Sequence, residues 1–497
     1  MAINWRGFKS GSDIRGLGTA ELDDPLYLSN FAVEKMTAGF VMWLSEKKHA
    51  PSQLFTVSVG YDSRLSSERI KGSVVNALTK MGVGVKDCGL CSTPAMFMTT
   101  VDLNCDGAVM ITASHLPKEK NGLKFFTRAG GLGGKDIEYI LDFASKNDVP
   151  ASPKKGEVET VNYINTYAAL LRDMIIKEVN ATDYARPLRG YKIAVDAGNG
   201  VGGFYAEKVL QPLGADISGS RYLEPDGNFP NHIPNPENKA AMDEAASATV
   251  ESKSDLGIVF DTDVDRAACV GPDGTEINRN ALVAIASYIA LQKNDGGTIV
   301  TDSVTSDGLT KYIESLGGKH LRYKRGYRNV IDKQIELNES GVNCPLAIET
   351  SGHAAFKDNY FLDDGAYLVT KIIIKNAELG KQGKSIFDVI ETLEKPVEEK
   401  EIRLKITKED FRTAGELFIN EWTKAAEGFD GYEKAPENYE GVRFSSSKDR
   451  GDGWILARLS VHDPVIVINA ESDSEGGVEK MTSEILCFAE KFDGVEI

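Results

Sequence analysis

Short apolar runs that end in an aspartate punctuate this chain. Val57-Ser-Val-Gly-Tyr-Asp62 leads into Ser63-Arg64, Ile193-Ala-Val-Asp196 into Ala197-Gly198, and Ile299-Val-Thr-Asp302 into Ser303. Each run is brief, apolar and closed by turn-forming residues, which predicts a buried strand. Downstream of each comes a second apolar run that opens into a polar loop. Ala108-Val-Met-Ile111 opens into Thr112-Ala-Ser114-His115, and Gly257-Ile-Val-Phe260 into Asp261-Thr-Asp263-Val-Asp265-Arg266. Leu346-Ala-Ile348 opens into Glu349-Thr-Ser351-Gly-His353. Helical stretches lie between, so the pattern predicts an α/β fold built from three copies of one unit. The copies are too long for a solenoid and predict separate domains. The last hundred residues break the pattern and predict a smaller C-terminal α+β domain. The expected boundaries are 1–157, 158–275, 276–393 and 394–497. In open α/β sheets ligands bind beyond the carboxyl ends of strands, where all three loops would sit, so they could contribute to one central cleft.

Composition narrows the possible partners. The 497 residues carry 57 Lys+Arg against 74 Asp+Glu, a net charge of −17, which argues against nucleic acid and against an anionic membrane surface. No apolar run approaches a membrane span; Ala281–Leu291 is the longest apolar helical stretch and is far too short. The N-terminus lacks the basic and apolar regions of a signal peptide, so a cytoplasmic location is expected. Six cysteines make no disulfide framework. Cys88 and Cys91 form a lone C-x-x-C, read here as small residues in a turn, with Thr93-Pro94 starting a helix beyond it.

Four loops carry candidate chemistry. Asp261, Asp263 and Asp265 stand at alternate positions straight after a strand, and three bare carboxylates there would repel one another. A hard divalent cation such as Mg²⁺ resolves that repulsion. An EF-hand is excluded by Arg266 at its sixth position and Pro272 at its twelfth. Asp261 could alternatively be the nucleophile of an aspartyl-phosphate phosphatase. Ser114 beside His115, with Lys124 after Asn121-Gly, could act as a nucleophile or carry a phosphate with His115 and Lys124 as charge partners. Glu349, Ser351 and His353 suit recognition of a polyol and movement of its proton. Lys324-Arg325 and the segment Arg458-Leu-Ser460-Val-His462 suit a phosphate-bearing ligand. Gly198-Asn-Gly-Val-Gly-Gly203 formally matches a dinucleotide-binding turn, with Asp216 downstream, but that reading leaves the charged loops unused.

Taken together and in this order, the loops resemble the α-D-phosphohexomutase superfamily, most closely its phosphomannomutase/phosphoglucomutase branch. The phosphoserine loop of that family is similar to Thr112–Pro117 with Asn121–Lys124, and its metal loop to Asp261–Arg266. Its sugar loop is similar to Ile348–His353, its final phosphate loop to Arg458–Pro464, and its N-terminal arginine turn to Asp13-Ile-Arg15-Gly16. The resemblance implies four domains around one cleft and a phosphoserine at Ser114. It implies Mg²⁺ held by that group with Asp261, Asp263 and Asp265, and supporting roles for Arg15, His115 and Arg266. Lys124 and His353 become proton-transfer groups. Glu349 and Ser351 contact the sugar, Lys324 and Arg325 form a basic substrate loop, and Arg458, Ser460 and His462 hold the phosphate that does not react.

The implied reaction moves a phosphoryl group between the 1- and 6-positions of mannose or glucose phosphate. A hexose 1,6-bisphosphate is the intermediate and activator, and the working assembly is a monomer or homodimer. Phosphoglucosamine mutase, the Asp261 phosphatase and a non-catalytic sugar-phosphate binder are the alternatives. Leu116, Ile348 and Val461-His462-Asp463 depart from the family pattern; the last change is expected to alter specificity while His462 can still meet phosphate as an imidazolium.

Overall fold

A computed structural model describes residues 3–19, 24–460 and 463–497. It divides into two compact units. One joins Met1–Asn278 with Ser351–Asp388, and the other joins Arg279–Thr350 with Val389–Ile497.

The first unit holds two sheets. In the larger, Thr56–Tyr61 lies parallel to Gly84–Leu90 on one side and to Gly107–Ile111 on the other. Lys120–Thr127 then runs antiparallel to Gly107–Ile111, and Asp13–Leu17 antiparallel to Lys120–Thr127. Gly107–Ile111 is buried throughout, as an apolar strand covered on both faces must be. Helix Asn30–Lys48 packs on Ser67–Lys80 and Gly134–Lys146, while Thr93–Asp102 packs on Tyr163–Val179. The starts of two of these helices follow from sequence. Ser29 accepts from the Ala32 amide, and Ser92 from the Ala95 amide with Pro94 in the first turn. Phe40 stacks on Phe125 in the core at 4.7 Å between ring centres. In the second sheet Ile193–Asp196 is parallel to Leu256–Phe260, which pairs antiparallel with Ala267–Val270. The segment Asp261–Arg266 is therefore the connection of an antiparallel pair.

In the second unit Thr298–Asp302 lies between Lys319–Tyr323 and Leu346–Ile348, parallel to both. The repeat seen in the sequence is thus a repeat of pairing: three times, a strand reaching an aspartate lies parallel beside the strand that feeds a polar loop. The C-terminal part differs, as expected for an α+β arrangement. Its sheet runs Tyr432–Lys434, Val442–Ser446, Gly453–Leu459, Val465–Ser472, Glu398–Ile406, Val495–Glu496, antiparallel at every pairing. Helices Phe411–Glu427 and Gly477–Ala489 pack against it.

No helix of the described residues is long and apolar enough to cross a membrane. Cys88 and Cys91 are buried and not joined to each other, and burial raises the Cys88 thiol to about 12. The glycine-rich turn after Asp196 serves packing. A Cβ on Gly203 would sit 2.2 Å from the Leu223 carbonyl oxygen and one on Gly200 2.7 Å from that of Thr262, so this chain's own backbone fills the turn.

Candidate active site

In the first unit, the strand ends bring Ser114, His115, Lys124, Arg15, Asp261, Asp263, Asp265, Arg266 and His353 into one buried network. Ser114 sits in the left-handed region at φ +50°, uncommon for a residue with a Cβ. Its amide donates to Thr112 Oγ1 at 2.8 Å, which fixes the turn. Its hydroxyl donates to Asp261 Oδ2 at 2.7 Å and lies 3.4 Å from His115 Nδ1.

The loop is held from outside by an arginine that sequence reading gave no role. Arg64 donates to the carbonyls of Ser114, Leu116 (2.6 Å), Pro117 (2.7 Å) and Lys120 (3.0 Å). Its own charge is met by Asp62, Nε to Oδ2 at 3.2 Å, with both side chains fully buried. Asp62 in turn accepts from the Arg64 amide and from Ser67 Oγ. The grip on Leu116 is through its carbonyl, which any residue at that position offers. Arg15 donates to Thr112 O and, at 2.8 Å, to Asp13 Oδ2.

The carboxylate loop faces this serine. Asp261 Oδ1 accepts from the Arg266 amide at 3.2 Å. Asp263 Oδ2 accepts from Thr93 Oγ1 at 2.5 Å and from Lys124 Nζ at 3.2 Å; Lys124 also pairs with Asp265. Val264 stands at φ +68°, strained for a β-branched residue. The Gly365 amide donates to its carbonyl at 3.2 Å, and a Cβ on Gly365 would lie 2.6 Å from the Arg266 carbonyl carbon. Ligand atoms of Asp261, Asp263 and Asp265 lie within 4.8 Å of one another. Asp263 Oδ1 and Asp265 Oδ1 are buried and accept no hydrogen bond from any described residue. Orphaned carboxylate oxygens carry a large desolvation cost. Hard oxygen donors, clustered and unsatisfied, fit a divalent cation of the Mg²⁺ type. Burial, reinforced by Asp265 and Asp263, pushes Asp261 well above the usual carboxylate range. Burial acts the same way on Asp265, but Lys124, His353 and Arg266 outweigh it and hold that group well below.

The two histidines are shifted in opposite directions. The Arg266 guanidinium, then burial and Arg15, push His115 down to about 2, so it is neutral. The sequence reading made His115 a charge partner of a phosphate carried on Ser114; in the structure its Nδ1 lies 3.4 Å from the Ser114 hydroxyl. His353 is also buried, which disfavours its cation. The Asp363 carboxylate, 2.5 Å from Nδ1, nevertheless holds its pKa above the ordinary value. His353 Nδ1 lies 4.0 Å from Asp265. Asp363 was missed in the sequence. Its only signal is the Asp363-Asp364-Gly365 run, in which Asp364 caps the next helix by accepting from Tyr367 N at 2.9 Å. Ser351 is buried in this same unit.

The remaining site residues lie in the second unit, so the chain divides the sugar loop between Thr350 and Ser351. Glu349 Oε1 accepts from the Gly326 amide at 2.7 Å. Asp302 is fully buried; Thr350 donates to it through its amide (3.1 Å) and hydroxyl (2.7 Å), and Arg325 Nε lies 3.5 Å away. Lys324 is exposed. Arg458 is 4% exposed, yet its Nε has no hydrogen-bond partner among the described residues, and Nη1 is 4.0 Å from Glu440 Oε1. Ser460 Oγ accepts from the Asp463 amide at 3.2 Å. His462 lies outside the described residues.

Comparison with known proteins accounts for this arrangement. Models described as phosphoglucomutase/phosphomannomutase, alpha/beta/alpha domains I, II and III, match residues 9–149, 169–274 and 278–396. A phosphomannomutase/phosphoglucomutase of Pseudomonas syringae pv. tomato is 30% identical over 86% of this chain and 85% of its own length. A phosphoglucomutase of Neisseria gonorrhoeae is 28% identical over 97% of this chain and 96% of its own length. Among solved structures, a phosphoglucomutase/phosphomannomutase family protein of Burkholderia thailandensis superposes with a TM-score of 0.81 at 25% identity, over the full length of both chains. With three α/β/α domains followed by a C-terminal domain, a serine pinned on a triple-carboxylate loop and relatives along nearly all its length, the chain is an enzyme of the phosphoglucomutase/phosphomannomutase family, within the α-D-phosphohexomutase superfamily.

Proposed function

We propose that the protein interconverts the 1- and 6-phosphates of mannose or glucose, with Ser114 as the phosphoryl carrier. The observation that carries this reading is the placement of Ser114 Oγ, 2.7 Å from Asp261 Oδ2 in a loop fixed by Arg64 and Arg15. Phosphoryl transfer is mainly positioning and charge neutralisation, and this geometry supplies both. Asp261, Asp263 and Asp265 are the residues that would hold Mg²⁺, which when bound neutralises charge on the transferring group.

A phosphoryl group carried on Ser114 passes to the free hydroxyl of a hexose monophosphate. The P–Oγ bond breaks, the P–O bond to the sugar forms, and the hydroxyl's proton passes to Lys124 or His353, whichever faces it in neutral form. The bisphosphate so made returns its other phosphoryl group to Ser114, leaving the isomeric monophosphate. Lys124 and His353 are the proposed proton-transfer groups, and the Asp363 carboxylate orients the His353 ring through Nδ1. His115, beside the serine oxygen, joins Arg266 and Lys124 around the transferred group. Glu349 and Ser351 take the sugar hydroxyls. Lys324, Arg325, Arg458 and Ser460 take the phosphate that does not react.

A ³¹P NMR time course tests this, with enzyme, Mg²⁺, glucose 1-phosphate and a trace of glucose 1,6-bisphosphate. Growth of a 6-phosphate resonance without inorganic phosphate is expected, with mannose 1-phosphate run beside it to rank the two sugars. Growth of inorganic phosphate, or no change with either sugar, would overturn the reading.

A further inference from the structure

We propose that Glu440 is the resident counterion of the phosphate cradle in the second unit, holding the place of the substrate's unreacting phosphate until that phosphate displaces it. The proposal rests on the reading of Arg458 as a phosphate-binding group. Glu440 Oε2 accepts from Ser303 Oγ at 2.7 Å and from the Arg325 amide at 3.1 Å, while Oε1 faces Arg458 Nη1 at 4.0 Å. A hydroxyl, a backbone N–H and a guanidinium converging on one anionic group form the donor set a phosphate takes.

The charge balance points the same way. Arg325 and Arg458 are opposed by Asp302 and Glu440, so the pair of arginines is already neutralised. A phosphate monoester adds about −1.5 to −2 charges. Both carboxylates cannot stay beside it without strong repulsion. Asp302 is fixed, with both of its oxygens bonded to Thr350. Glu440 sits instead in a bend beyond the strands, where Asn438 donates to Ala435 O and accepts from the Arg443 amide, and Tyr439 packs on Tyr323. Gly441 follows at φ +62°, where a Cβ would meet the Ala457 carbonyl oxygen at 2.1 Å. Arg443 then pins the next strand, donating to Ser303 O (3.3 Å), Thr305 O (3.2 Å) and Asp307 Oδ1 (2.8 Å) with its guanidinium 3.6 Å from the Trp454 ring centre. The side chain of Glu440 can therefore rotate away while its backbone stays. Its departure frees Ser303 Oγ and the Arg325 amide for the phosphate. The Arg325–Gly326 turn also gives its next amide to Glu349, so the same exchange is felt at the sugar-recognising carboxylate.

Glu440→Gln keeps the size and the acceptor oxygen but removes the charge. Calorimetric titration of the full-length protein with inorganic phosphate is expected to give a dissociation constant at least fivefold lower in Glu440→Gln than in wild type. Glu440→Asp, which retracts the charge, is expected to fall between, and it supplies the reading should the glutamine variant not fold. Arg458→Ala should abolish the gain. Equal or weaker phosphate binding in the two Glu440 variants would overturn the proposal and make Glu440 a simple strut. Titration needs no turnover, so a tightened phosphate site in a protein that fails the ³¹P assay would sink the mutase reading and leave this one standing.

Discussion

The serine–carboxylate network and the arginine cradle are built on opposite plans. Around Ser114, nearly every charge is already matched: Arg64 by Asp62, Lys124 by Asp265, His353 by Asp363. The two exceptions, Asp263 Oδ1 and Asp265 Oδ1, mark the place for a cation. Around Arg458 the charges are balanced but loosely held: the buried guanidinium's Nε donates to no described residue, and its Nη1 lies 4.0 Å from Glu440 Oε1. The first region is assembled before substrate arrives, as chemistry that depends on preorganisation requires. The second, if it takes a phosphate as proposed, must exchange a resident carboxylate for it. Substitutions in the two regions should therefore fail differently, the first in kcat and folding, the second in KM.

The largest effect is expected at Ser114. Ser114→Ala removes the carrier oxygen and should cut kcat by on the order of 10⁴-fold or more with the fold intact. Turnover near wild type would deny Ser114 its role, and ³¹P detection of a phosphoserine in wild type but not in the variant gives the positive control. Next comes the loop's support. Arg64→Ala strips four carbonyls of their donor and leaves Asp62 buried without its partner, which should cost about 3–5 kcal/mol of stability. Urea unfolding measures this, and a variant as stable as wild type would show that the loop is shaped by its own turn.

These two residues also show how far the sequence could be read. Ser114 was legible because its neighbours in the chain carry the pattern: an apolar strand, a turn, and a hydroxyl beside an imidazole. The carboxylate loop was legible for the same reason, with its residues alternating within one connection. The three-fold repeat and the Ser92–Pro94 helix start were local signals too. Arg64 was not legible, because its work is done on carbonyls about fifty residues further on, and backbone acceptors leave no mark in a sequence. Asp363 was hidden by standing next to a helix cap, where an aspartate needs no further explanation. Glu440 meets Ser303 across 137 residues and sits in a charged bend that reads as solvated surface. The glycine run after Asp196 misled in the other direction: close backbone packing requires the same residue as a nucleotide cradle does.

The cradle's side of the comparison is sharpened by Arg458→Ala. A buried charge-assisted contact to phosphate is worth about 1.5–3 kcal/mol, so KM should rise roughly ten- to a hundredfold while kcat changes little. A loss confined to kcat would place Arg458 with the chemistry and dissolve the division between the two regions.

Glu471 asks whether that division extends from the cradle into its scaffold. It lies in the same unit, in the strand beside Arg458's strand, and accepts from Trp454 Nε1 at 2.9 Å. Burial lifts its carboxyl from its ordinary value to about 7, against the opposing pull of Trp454 and Arg443. The sign follows from which state holds the proton. Below the unfolded value both states are protonated, and the stabilisation from the neutral native carboxyl is fully present. As pH rises the unfolded chain ionises first, so this contribution is lost up to the native value. Glu471→Gln keeps the acceptor for Trp454 and cannot ionise. The variant should match wild type near pH 4 and become more stable by roughly 3 kcal/mol near pH 8, since each tenfold difference in proton affinity between the two states is worth about 1.4 kcal/mol. Urea midpoints of the two proteins at both pH values measure the difference, in which the titration of all other groups cancels. A difference that stays flat with pH would mean that Glu471 is ionised alongside Arg443 throughout this range.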